Sequence, residues 1–214
     1  MPNKTVPKYI QRRQGSLFDA LRDEAVSRGI TPRTQESMNW FRRNIRKIVV
    51  GRKSLLRDEA LVRRQRPRVG SMFMYFYNAK HKETLPYWDA FPLIIMVGPA
   101  KDGFYGLNLH YLPPLLRARL LDRLMDNMTN QKYNERTRIR ISYEFLKNTS
   151  RLRLFRPCFK HYLRKHVVRP MMRVEPTEWE IALFLPTEQF HSRPRGGIHR
   201  TEVWKESRRI IRSS

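Results

Sequence analysis

Residues 87–114 read YWDAFPLIIMVGPAKDGFYGLNLHYLPP, with one lysine, Lys101, against Asp89 and Asp102. The chain around them has 214 residues, with 44 Lys and Arg against 19 Asp and Glu and a net charge of +25. An unpaired charge inside a core costs several kcal/mol of desolvation, so a stretch this neutral in so basic a chain is where the framework is expected. FPLIIMV (91–97) is a continuous apolar run and GFYGLNLHYL (103–112) alternates with period two. Gly98-Pro99 and Asp102-Gly103 mark turns between them. Upstream, GSMFMYFYN (70–78) also alternates, ahead of the turn signal Pro86. The spacing predicts three strands of a small antiparallel sheet or an SH3-like barrel.

Helical patterns flank this centre. PPLLRARLLDRLMDNM (113–128) starts with prolines suited to a first turn and sets Leu116, Leu120, Leu121, Leu124 and Met128 on one face, so it is expected to pack on the sheet. A second bracing helix is expected within 143–168, interrupted at Pro157. MMRVEP and EWEIALFLP (178–186) read as further strands, and 201–212 as a short helix. Towards the N-terminus, SLFDALRDEAVSRG (16–29) predicts a helix closed by Gly29. Met38, Phe41, Ile45, Ile48 and Val49 form the stripe of a second helix over 35–50, and helix can resume after Gly51 until Pro67. The fold class is therefore α+β. It divides into a basic helical N-terminal extension or arm (1–69), a core domain (70–190) and a C-terminal tail with a short helix (191–214).

The charge is uneven. Residues 1–70 carry +12 and 136–173 carry +11, while 71–135 and 174–214 carry +1 each. Self-repulsion on this scale suits a protein that meets a polyanion. Phosphate contact is expected from Arg42, Arg43, Arg46, Lys47, Arg52 and Lys53 in the first block. The second block offers Arg136, Arg138, Arg140, Arg151, Arg153, Arg156, Lys160, Arg164 and Lys165. Arginine predominates, which suits planar, two-pronged contact with phosphate or with acidic partner proteins. No polar set at recognition-helix spacing accompanies it, so backbone positioning is expected rather than base reading.

Signs of catalysis are weak. Asp122 and Asp126 share a helix face but sit beside Arg119 and Arg123, the pattern of a solvated surface. Glu178 and Glu180 flank Trp179 on an expected strand and so point outward. Cys158 and His161 have a C-x-x-H spacing with no second pair to complete a zinc site, and the remaining histidines are not coupled by spacing to a serine and an acid. Glycine-rich phosphate loops are absent, no cofactor is expected, and the reading is of a binding protein rather than an enzyme. A single cysteine suits a reducing compartment. No apolar run is long enough to span a membrane, and MPNKTVPKYIQRRQGS lacks the apolar centre of a secretory signal.

Four segments carry a resemblance: YNAKHKETLPYWDAFPLIIMV (77–97), DGFYGLNLHYLPPLLRARLLDRL (102–124), FRPCFKHYL (155–163) and EWEIALFLPTEQF (178–190). Over roughly 71–190 the chain resembles the DNA end-protector proteins of T4-like tailed phages, most specifically in LPYWDAFPL and GLNLHYLPP. The resemblance implies a non-enzymatic virion protein on the termini of packaged double-stranded DNA, shielding them from host exonuclease after injection. The implied settings are the virion and the host cytoplasm, with other virion proteins as partners, and the motif residues are implied to be structural. Two alternatives stand beside it: a structural protein of the phage neck, tail or baseplate docking on acidic subunits, and a head-completion nuclease.

Overall fold

The period-two segments pair as their alternation requires. In the computed structural model, which describes residues 17–31, 34–45, 51–57, 68–129, 132, 144–148, 152–193 and 196–213, β1 (Met72–Tyr77), β3 (Leu93–Ala100) and β4 (Gly103–Asn108) are consecutive neighbours in one sheet. The sheet has five strands in the order β5-β4-β3-β1-β6, with β5 at Phe159–Leu163 and β6 at Val167–Val174. Every pairing in it is antiparallel, and register shifts between Met74 and Phe76 and between Met96 and Gly98 bend the strands. The result is a curled sheet, a half-barrel, braced by helices: an α+β fold.

Alternation sorts the two faces of the sheet. Met72, Met74, Leu93, Ile95 and Leu107 join the larger core, whereas Phe73, Tyr75, Ile94, Met96, Phe104 and Tyr162 form a second cluster. Helix α1 (Leu17–Ser27) contributes Phe18 and Leu21 to the larger core, and α2 (Gln35–Ile45) contributes Trp40, Phe41 and Ile45. Gly29, at φ +69°, ends α1 by letting Ile30 N–H reach Ala25 O and its own N–H reach Val26 O. Thr34 and Ser37 cap α2 reciprocally, each side-chain oxygen accepting from the other's N–H at 3.1 Å. Helix α3 (Arg52–Arg57) follows. Helix α4 (Pro114–Thr129) begins at the expected prolines, and α6 (Arg200–Ser213) matches the helix expected near the C-terminus.

Gly98-Pro99 marks no turn: both residues continue β3, Gly98 opposite Tyr105 and Pro99 opposite Phe104, and the chain reverses only at Lys101-Asp102. Two larger expectations are overturned. The bracing helix over 143–168 is not formed: a helical stretch at 144–148 is followed by a 3-10 segment (Arg153–Cys158), strand β5, a 3-10 turn (Arg164–His166) and strand β6. FKHYL becomes a strand because β4 offers an open edge beside it, pairing Gly103 with Leu163 and Gly106 with Lys160. A Cβ on Gly103 would lie 1.9 Å from Tyr162 O, and one on Gly106 would lie 3.1 Å from the Tyr162 ring. The glycines thus admit the neighbouring strand. The second correction concerns EWEIALFLP, which forms helix α5 (Trp179–Phe184) rather than a strand. Glu175 and Glu178 make a capping box around a 3-10 turn (Pro176–Glu178) with proline at its first position, and the helix continues directly from it. Glu178 is consequently buried, not outward-facing, and Glu180 bonds to the Ser37 hydroxyl.

A smaller sheet of β2 (Trp88–Asp89), β7 (Phe190–Ser192) and β8 (Gly196–Gly197) lies in the order β2-β7-β8. Its β2–β7 pairing brings the LPYWDAFPL motif against the end of the EWEIALFLPTEQF segment.

Candidate nucleic-acid interface

The motif residues meet in a buried polar knot. Asp89 accepts from His110 Nδ1 at 2.7 Å, from Asn108 Nδ2 at 3.0 Å and from Phe91 N–H at 3.0 Å. Burial alone would raise its pKa; His110, Asn108 and the Phe91 N–H together hold it below the ordinary carboxylate value. The Thr187 hydroxyl stands 3.3 Å from His110 Nε2. Acid, histidine and hydroxyl are thus aligned, a coupling that chain spacing did not reveal. All three are buried, so the hydroxyl faces no opening through which a substrate reaches it.

Beside this knot, Arg117 is 1% exposed at its side chain and donates to Leu112 O at 2.7 Å, Leu183 O at 3.0 Å and His110 O at 3.2 Å. Its Nη2 also meets Glu188 Oε1 at 2.6 Å, and Arg200 Nη1 meets the other oxygen at 3.2 Å. Burial opposes ionisation of Glu188, but Arg117, His110 and Arg200 hold its pKa down to about 2. Trp204 of α6 donates Nε1–H to His110 O at 2.9 Å, and Tyr87 and Ser207 hydroxyls lie 3.2 Å apart. Helix α6 is therefore fastened onto the motif. Asp89, Asn108, His110 and Tyr87 of the two most specific motifs are thus tied into the fold by hydrogen bonds.

The cations predicted to meet phosphate fall into four groups. Arg43 is exposed in the last turn of α2, Arg42 beside it is half-buried, and Lys53 is exposed on α3. Arg52 is committed inward, donating Nε to Thr187 O at 2.8 Å and Nη2 to Glu188 O at 2.7 Å. Arg156, Arg164 and Lys165 are exposed, the last two on the 3-10 turn joining β5 to β6, while Lys160 is drawn inward. Arg46, Lys47, Arg136, Arg138, Arg140 and Arg151 lie outside the described residues, as do the side chains of Arg153 and Asp126.

The structure gathers other residues around Arg164 and Lys165. Arg164 N–H bonds to Asp102 O at 2.9 Å and His161 Nε2 lies 2.9 Å from Lys101 O, so the β3–β4 turn meets the β5–β6 corner. His166 Nδ1 lies 2.8 Å from Asn78 O, which ties the same corner to the end of β1. Lys101, His161 and Tyr105 are exposed there, Tyr105 to 47%. Among the described residues neither Arg164 nor Lys165 has a carboxylate partner. Sequence reasoning found the two cations through charge density; it missed Lys101, Tyr105 and His161, which arrive from segments about 60 residues apart.

Cys158 is buried, and burial pushes its thiol up to about 12. Asp122 is half-buried and lines a mainly apolar cavity between α1, α2, α4 and α5. Among the described residues no helix is long and apolar enough to cross a membrane, and no three histidine, cysteine or carboxylate side chains cluster as a metal site.

Compared with known families, the chain matches over residues 14–207 the model described as the phage T4 terminal DNA protecting protein. No curated protein and no solved structure matches it.

Proposed function

We propose that this protein, which belongs to the phage T4 terminal DNA protecting protein family, sits on the ends of the linear double-stranded phage genome in the virion and screens them from exonuclease in the host cytoplasm. Contact is made through phosphate, without base reading. The observation that carries this reading is the corner where exposed Arg164 and Lys165 stand without carboxylate partners among the described residues, beside Lys101, His161 and Tyr105. In a chain of net charge +25 such cations supply a sequence-independent attraction, released as salt rises. Arg43, Lys53 and Arg156 are exposed as well. Arg136, Arg138, Arg140 and Arg151 belong to the same expected phosphate-binding set, with Arg42, Arg46, Lys47, Arg52, Arg153 and Lys160.

The test is competition between linear and closed circular duplex of equal length, with affinity measured across a salt series. Linear DNA is expected to win, and R164A/K165A to lower the salt slope by about 0.9 for each phosphate that is no longer neutralised. Linear duplex is further expected to survive an added double-strand exonuclease when the protein is bound. Equal affinity for circle and line would remove end recognition. Cross-links from intact particles that join the basic segments to acidic neck, tail or baseplate subunits, with none to DNA, would replace the reading with a structural one.

A further inference from the structure

A recess of about 510 Å³ lies between β5 and the 79–88 loop, with Tyr111 in its lining. Lys160 lines it with its Nζ 4.3 Å from the Tyr111 ring centroid. Among the described residues no carboxylate comes within ion-pairing distance of that ammonium. Asp89, which also lines the recess, already has its oxygens occupied by His110, Asn108 and the Phe91 N–H. Burial disfavours the ammonium and pushes its pKa below the usual lysine value, so a bound anion would stabilise it. Lys80 and His81 are exposed along the same lining, and the half-buried Trp88 stacks on His191, with ring centroids 5.8 Å apart.

We propose that this recess takes the terminal phosphate monoester of a DNA strand, with Lys160 as its counter-ion; the inference rests on the reading that the protein binds DNA ends. An internal phosphodiester is tethered on both sides and carries one charge, so it stays on the flank of the duplex. A terminal phosphate hangs on one bond and carries a charge of about −1.5 to −2 near neutral pH. It can enter a recess and neutralise a half-buried cation there. End selectivity then follows from shape and charge, with no base contact.

Three linear duplexes, phosphorylated at the 5′ ends, at the 3′ ends, or at neither, are compared with a closed circle, using wild type and K160M. One phosphorylated form is expected to bind wild type about tenfold or more tighter than the unphosphorylated duplex, as a charge-assisted hydrogen bond provides. K160M is expected to bind all three linear forms alike. If wild type prefers line to circle but ignores phosphorylation, the recess proposal is overturned while end binding stands. If wild type does not prefer line to circle, end binding fails, and 5′- and 3′-phosphorylated trinucleotides decide the recess alone. Either one shifting the Lys160 ε-methylene NMR signals, where the unphosphorylated trinucleotide does not, upholds the phosphate site; no shift with either overturns it.

Discussion

Replacing Glu188 by glutamine keeps the side chain's shape and removes its charge, leaving Arg117 with three carbonyls but no carboxylate. The Glu188 side chain is 4% exposed and its pKa stands at about 2 against an ordinary 4.5. That displacement is worth about 3 kcal/mol at about 1.36 kcal/mol per unit. It agrees with the roughly 3–5 kcal/mol lost when one partner of a buried pair is removed. The sign follows from the depressed folded value. The stabilisation is complete above the unfolded pKa near 4.5 and is lost as pH falls towards about 2. Urea unfolding of wild type and E188Q should therefore differ by about 3 kcal/mol at pH 7, with the gap closing between pH about 5 and about 2. Asp89, also held low, weakens both proteins in acid alike and drops out of the difference. A gap under about 1 kcal/mol at pH 7, or one that stays constant into acid, would refute the ion-pair account of how 187–189 is anchored.

Gly103→Ala drives a methyl to within 1.9 Å of Tyr162 O and should cost at least the roughly 1–3 kcal/mol of an overpacked core, read as a lowered thermal midpoint. An unchanged midpoint would mean that β5 does not lie against β4. Cys158, 1% exposed with its thiol pushed up to about 12, should resist a thiol-specific disulfide reagent at pH 8 and react fully in denaturant. Rapid labelling of the native protein would contradict its burial.

Much of the framework was legible because burial leaves a periodic trace. Alternation in GSMFMYFYN and GFYGLNLHYL located β1 and β4, and the leucine stripe after Pro113 located α4. Charge density picked out Arg164 and Lys165, which the fold leaves exposed. Short apolar runs carried no such trace. FKHYL pairs as a strand only because Gly103 and Gly106 leave room beside them. EWEIALF turns helical because the Glu175–Glu178 capping box fixes its start, a local signal that strand-like alternation concealed.

The amino-acid order by itself marked the nearly neutral stretch that forms the framework and the basic blocks on either side of it, since a charge without a partner is costly to bury. It likewise settled the family to which the motifs belong. Tertiary structure alone decided that Asp89, His110 and Thr187 meet, that Arg117 closes on Glu188, and that Lys160 turns inward while Lys165 stays in solvent. Such pairings join residues up to about 77 positions apart, and their distances are set by strand register and helix docking, for which chain spacing has no counterpart.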